Sequence, residues 1–412
     1  MGFLSELKQL IEDDLEKQMK TPIRNKHLWG CLIFDFLLIQ FVIGPFTVCV
    51  WRGAWEFYDY LFYLIFGGGF PLAIGLTCLV LGFMISVLVA LSHREMDLLA
   101  KKAGTCQYVL VSRIYSILRF LFALLYWKGI FDTLDMFEEI EWFIPHFSVA
   151  LASCVLFIIG AFKSAAISPP LGINLDTSDD YIFISTFYHS TQEDSMGFRL
   201  LDAVLTTTVE VISTVAFYGA WGTGAHFYGE RSNDDRATIR KAMIALAQAH
   251  TLSLIVFVSQ FIYLYNHYKC NNKCYIREWK NMFYAIILIA SLFATSSYIK
   301  GWWEILDVIA SKLPKYMATV ENIVSFLLGF LVLVLLGTAS YNHFGVSREA
   351  VRESEGILLP FFYLTYYLRD RSHESKDAIF RPHDDHFEQL KSCCSRCCGN
   401  NKSVQREQEN NL

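Results

Sequence analysis

Eight stretches of this chain are long and apolar enough to cross a lipid bilayer: 28–51, 71–92, 107–127, 143–162, 200–221, 242–265, 282–299 and 323–341. A spanning helix needs about 20 mostly apolar residues, and hydrocarbon forces every backbone polar group to be satisfied within the segment. The second stretch, PLAIGLTCLVLGFMISVLVALS, carries no charge at all. The expected fold class is therefore all-α, a polytopic membrane protein with eight transmembrane helices. Only 18% of the residues are charged, against about 25% in soluble domains. The net charge of −5 and the lack of a basic domain exclude a nucleic-acid binder. The first 27 residues are charged and hold no apolar core of a signal peptide, so no cleavable leader is expected.

Lys and Arg orient the chain. With the N-terminus inside, the inner segments hold 24 of the 35 basic residues. The outer loops hold 9 basic residues against 13 acidic ones. Both termini are expected in the cytoplasm. Three regions follow: an amphipathic N-terminal segment (1–27), a membrane domain (28–341) and a cytoplasmic tail (342–412).

Four short segments look alike: 51–59 (WRGAWEFYD), 127–135 (WKGIFDTLD), 217–221 (FYGAW) and 299–307 (IKGWWEILD). They align on Gly53, Gly129, Gly219 and Gly301, each read as lying at the end of an odd-numbered span. The chain thus reads as four tandem two-helix repeats, with every motif on the outer face. The conspicuous residues are Trp51, Arg52, Trp55 and Asp59, then Trp127, Lys128 and Asp135, then Trp221, then Lys300, Trp303 and Asp307. One reading is an aromatic anchor at headgroup depth, with a snorkelling base and a glycine where the helix stops. The other is an outer vestibule lined by Glu56, Asp59, Asp132, Asp135, Glu304 and Asp307. The third copy lacks both the base and the Asp, which would leave such a ring incomplete.

At these residues the chain resembles the Fuseless family of eight-pass animal membrane proteins. The likeness rests on the W-[RK]-G-x-[WF]-x-x-x-D signature after an odd span, the eight-span plan and the tandem units, over roughly residues 25–345. It implies a neuronal protein of the presynaptic plasma membrane, needed for neurotransmitter release and for organising calcium channels at release sites. The partners it implies are a voltage-gated calcium channel or a presynaptic scaffold, besides the lipid bilayer. No catalytic residues belong to that family, so none are carried over, and no cofactor or enzymatic activity is expected.

Charges inside spans are costly and often functional. Arg119 and Glu210 lie 10 and 9 residues before their glycines, near the midplane. Asp35, Arg113 and Asp202 lie nearer the inner boundary. The expected pairs are Arg119 with Glu210, and Arg113 with Asp35 or Asp202. Such pairs hold helices in register, or they mark a transport or proton path with His250, Gln248 and Gln260 as companions. A transporter or ion channel with a midplane Arg/Glu site is accordingly the alternative function.

The tail holds an apolar aromatic segment, Ile357–Leu368, too short to span. A cysteine cluster follows: Cys393, Cys394, Cys397 and Cys398. Four ligands this close are too crowded for an ordinary zinc site. Basic juxtamembrane cysteines suit palmitoylation. Residues 1–20 repeat apolar side chains at three- and four-residue steps and are expected to lie on the inner membrane surface. No phosphate loop, nucleophile elbow, zinc-protease motif or potassium-filter motif occurs in the sequence.

Overall fold

The computed structural model describes residues 28–67, 71–102, 105–138, 141–166, 171, 186–188, 190, 191, 193–228, 234–269 and 274–339. The amphipathic N-terminal segment, the Ile357–Leu368 segment and Cys393, Cys394, Cys397 and Cys398 lie outside them. Among the described residues every regular element is helical. α1 (Leu28–Leu38) passes through a π-helical turn (Ile39–Ile43) into α2 (Gly44–Phe66). There follow α3 (Pro71–Lys102), α4 (Thr105–Glu138), α5 (Ile144–Ile158), the short α6 (Lys163–Ala166), α7 (Met196–Tyr228), α8 (Asp235–Lys269), α9 (Cys274–Ser311) and α10 (Lys315–Leu335). Six of these stretches are long and apolar enough to cross a membrane, while Ile144–Ile158 and Val320–Leu335 are shorter apolar helices. This is the make-up of a multi-pass membrane protein.

The helices outrun the expected spans at the ends that carry the four glycines. α2, α4, α7 and α9 continue to Phe66, Glu138, Tyr228 and Ser311. The glycine segments are therefore interior turns of helices, not helix stops. α5 is the opposite case. Its 15 residues span about 22 Å, less than the roughly 30 Å of hydrocarbon. It ends at Gly160, whose φ of +69° suits glycine. Ala161 N–H bonds to Leu156 O at 2.8 Å and Gly160 N–H to Phe157 O at 3.2 Å, the paired bonds of a Schellman cap. The chain then turns back, and Ala161, Phe162, Ala165, Ala166 and Leu171 are buried.

The π-helical turn has a local cause. Pro45 opens α2, lacks an N–H and clashes with the preceding turn, so the helix widens just before it. Tyr298 of α9 fills the space beside Gly44 and donates its hydroxyl to the Gln40 carbonyl at 2.5 Å.

α2, α4, α7 and α9 form an inner set in which each touches the next and α9 touches α2. The most apolar stretches of these helices are 50–61% buried, against 22% for α3 and 39% for α8. The closest partners are α3 with α4, α5 with α7, α8 with α9, and α10 with α2. Each inner helix thus packs hardest on the outer helix before it in the chain, and α2 packs on the last. The outer helices expose apolar rows such as Leu76, Val80 and Met84 on α3, or Val324, Leu328 and Leu331 on α10. Such rows suit contact with lipid chains rather than water.

Candidate functional site

The four glycines explain the helix pairing. A Cβ on Gly53 would meet Asn322 O at 2.5 Å and Phe326 N at 2.8 Å. One on Gly129 would meet Leu79 N and Gly75 O, and one on Gly219 would meet Val149 N and Pro145 O. One on Gly301 would meet Leu246 Cγ at 2.7 Å and Ala242 O at 2.9 Å. Small residues let backbones approach where lipid supplies no drive to associate. Along a helix, two residues turn the side chain by about 200°. A glycine that faces the outer helix therefore sends the residues two before and two after it to the opposite side, towards the bundle centre.

There they line one cavity of about 190 Å³: Trp51, Trp55, Trp127, Phe131, Phe217, Trp221, Ile299 and Trp303. These are the eight positions flanking the four glycines at a distance of two. They form two tiers. In the deeper tier Trp51, Trp127 and Phe217 are each 4% exposed and Ile299 5%. In the other tier Trp55, Phe131, Trp221 and Trp303 are half-buried, so the cavity opens towards the end of the bundle where α2, α4, α7 and α9 terminate.

That second tier is a complete ring of edge-on contacts. Trp55 meets Phe131 with ring centroids 5.3 Å apart, Phe131 meets Trp221 at 6.4 Å, Trp221 meets Trp303 at 6.0 Å, and Trp303 meets Trp55 at 6.0 Å. The four interplanar angles run from 77° to 86°. The ring quadrupole favours this edge-to-face arrangement. In the deeper tier Trp51 packs on Trp127 at 4.9 Å and Trp127 on Phe217 at 5.1 Å, and Ile299 interrupts the circuit.

A polar layer surrounds the aromatic one, and it links neighbouring segments. Lys128 reaches back to Asp59 at 2.5 Å, besides Asp132 at 3.0 Å on its own helix. Arg52 reaches Asp307 at 2.8 Å and Glu321 of α10 at 3.1 Å. Tyr218 stands where a base stands in the other segments. It donates to Glu138 at 2.7 Å, and Asp135 also bears on it. In each case the residue just before one glycine engages an acid near the end of the preceding inner helix. The fourth link fails because residue 225, the equivalent of Asp59, Asp135 and Asp307, is Ala. Lys300 turns instead to Glu304 at 3.5 Å and lies over the Trp221 ring at 5.2 Å. Lys128 lies over Trp55 in the same manner at 5.0 Å.

Glu56, Asp59, Asp132, Asp135, Glu304 and Asp307 stand within electrostatic reach of one another around this end of the bundle, and none of them lines the cavity. The anchor reading of Trp51, Trp55, Trp127, Trp221 and Trp303 is overturned, since these rings face the cavity rather than a membrane surface. Sequence reasoning passed over Phe131, Phe217 and Ile299 as lining residues, and Tyr218, Glu138 and Glu321 as partners. The alternation about each glycine was the available signal. Reading the segments as helix stops hid it.

Two of the in-span acids have partners besides the expected ones. Glu210 accepts the Tyr126 hydroxyl at 3.3 Å. Arg119 acts on Glu210 through its charge, but no ion pair within 4.0 Å joins the two. The Asp202 carboxylate accepts Tyr188 N–H at 2.6 Å and Ser190 N–H at 2.9 Å, tying the segment before α7 to the second turn of that helix. Asp35 is fully buried and Arg113 partly so. His250 Nδ1 lies 2.7 Å from Gln40 Oε1, and Gln248 accepts the Tyr228 hydroxyl. None of these groups lines the aromatic cavity. Among the described residues no cluster of His, Cys, Asp and Glu is arranged to hold a metal.

A family model described as Fuseless matches residues 23–341. No curated protein and no solved structure matches the chain.

Proposed function

The chain belongs to the Fuseless family, and on that footing we propose that it is a non-enzymatic multi-pass protein of the presynaptic plasma membrane. In this reading it organises release sites and their calcium channels and so supports neurotransmitter release. The observation that carries it is the family match, which spans the whole of the expected membrane domain. The chain crosses the membrane eight times as four tandem two-helix repeats, with both termini in the cytoplasm and the cavity mouth outside. The matched glycine contacts and the linked acids and bases support the repeats. Palmitate on Cys393, Cys394, Cys397 and Cys398 would hold the tail at the membrane, where a voltage-gated calcium channel or a scaffold protein would meet it.

The test is the position of the protein tagged at its own locus, together with evoked release in its absence. Concentration at release sites and a loss of evoked release are expected. An even distribution over non-neuronal membranes would sink the synaptic role. Removal of residues 342–412 should abolish function and leave the membrane domain folded. A second reading, a transporter or channel, is favoured by the central cavity and its acidic mouth. It moves the site from the Arg119–Glu210 region to the aromatic tiers.

A further inference from the structure

We propose that the central cavity is a binding site for a small organic cation with a quaternary ammonium head group. The inference goes beyond the synaptic reading and holds wherever in the cell the protein acts.

Three observations carry it. The first is the lining. Five indoles, two phenyl rings and one isoleucine surround the space, and none of them bears a charge. Indole is the strongest aromatic partner for a cation, and a box of such rings is the usual means of holding an ammonium group. The protein already makes this contact from behind. The Lys128 ammonium lies over the Trp55 ring and the Lys300 ammonium over the Trp221 ring, so two members of the half-buried tier already hold cations on a face.

The second is charge. Eight carboxylates stand about the mouth: Glu56, Asp59, Asp132, Asp135, Glu138, Glu304, Asp307 and Glu321. Facing them are three ion-paired permanent cations, Arg52, Lys128 and Lys300, and a fourth, Lys241, whose charge acts on Glu304 and Lys300. A cleft with this excess draws cations in and turns anions away. The link missing at Ala225 leaves Lys300 with the weakest ion pair of the three, so the excess is uneven around the mouth.

The third is size and polarity. The space of about 190 Å³ lies just above the roughly 150 Å³ that admits benzene and below the 300 Å³ typical of drug-sized pockets. It suits a ligand of choline size. The walls present carbon faces, so a metal ion or a primary ammonium would give up its water for no replacement hydrogen bonds. A quaternary head is weakly hydrated and keeps its charge, and it loses least on entry.

The experiment is calorimetric titration of the purified full-length protein in nanodiscs. The probes are choline, its neutral isostere 3,3-dimethylbutan-1-ol, and potassium chloride at matched ionic strength. Choline is expected to bind in the millimolar range or tighter. The neutral isostere should bind at least about tenfold more weakly, since a desolvated cation–π contact contributes ~2 kcal/mol. Potassium should show no saturable binding. Trp55→Leu and Trp303→Leu should each weaken choline at least about tenfold. Trp142→Leu, an exposed indole that does not line the cavity, should leave it unchanged. If the isostere binds as well as choline, the cavity is a plain apolar pocket and the proposal is wrong. If choline shows no saturable binding, it is wrong as well. The comparison of choline with the isostere uses the wild-type chain alone, so it decides the matter even where a tryptophan variant fails to fold. Neither result bears on where the protein resides, which tagging at its own locus decides separately.

Discussion

Replacing Gly219 by Ala should loosen the bundle, although alanine is the better helix former. The new Cβ would point at α5, where Pro145 O lies 2.5 Å away and Val149 N nearer still. Both atoms are backbone, and no side-chain rotation can relieve them. Ordinary contact begins near 3.4 Å, so α5 and α7 must part by about 1 Å at their closest point. A gap of that order forfeits up to half of the dispersion energy of the contacts around it. Overpacking of this kind costs about 3 kcal/mol at the upper end of its usual range. Helix propensity returns about 1 kcal/mol, leaving a net loss of about 2 kcal/mol. Gly30→Ala is the matched control, because its Cβ would meet nothing within 4 Å. That variant should gain up to about 1 kcal/mol. The two should differ by about 3 kcal/mol, or roughly 4 °C in melting temperature for a domain of this size. Fluorescence-detected size exclusion after heating, in one detergent, would measure both. Gly301→Ala should fall between them, since its nearest obstacle is the Leu246 side chain. If Gly219→Ala melts within a degree of Gly30→Ala, the close-approach argument fails.

Ala225→Asp supplies the acid missing opposite Lys300 and should raise the melting temperature by the equivalent of about 1 kcal/mol; a fall would refute the linked-segment reading. Arg52→Gln leaves Asp307 and Glu321 facing one another without their cation and should cost about 3 kcal/mol, with Arg52→Gln plus Asp307→Asn less damaging than the sum of the single changes. Asp202→Ala removes the acceptor for Tyr188 and Ser190 and should speed limited proteolysis around residues 186–190 without changing the oligomer profile.

The sequence made the helical class plain, because runs such as 71–92 leave no other way to satisfy the backbone in lipid. It also marked the right residues at Gly53, Gly129, Gly219 and Gly301. What it hid was direction. Hydropathy falls at Arg52 and Lys128, which places the span ends there, yet α2 and α4 continue, with acidic partners neutralising both buried bases. With the segments read as stops, Trp51 and Trp55 looked like interfacial anchors, and their shared face was lost. The closure of α2 on α10 could not be read either, since it joins the two ends of the membrane domain and leaves no local pattern. Asp202, one of two acids that the charge spacing offers to Arg113, accepts backbone N–H groups. A loop N–H is as good a partner as Arg113, and charge spacing does not reveal backbone donors.

That closure also sets an order of assembly. Arg52 emerges from the ribosome 255 residues ahead of the Asp307 that holds it. At 5–20 residues per second, roughly 13–50 s pass before that partner exists. Glu321 and the α10 surface that receives Gly53 come later still. Throughout that time a nascent chain carries an exposed guanidinium and an uncovered glycine seam. The membrane-insertion machinery, or a chaperone beside it, must shield them until the last helix arrives. A chain truncated before α10 should therefore be retained and degraded, even though every earlier helix is intact.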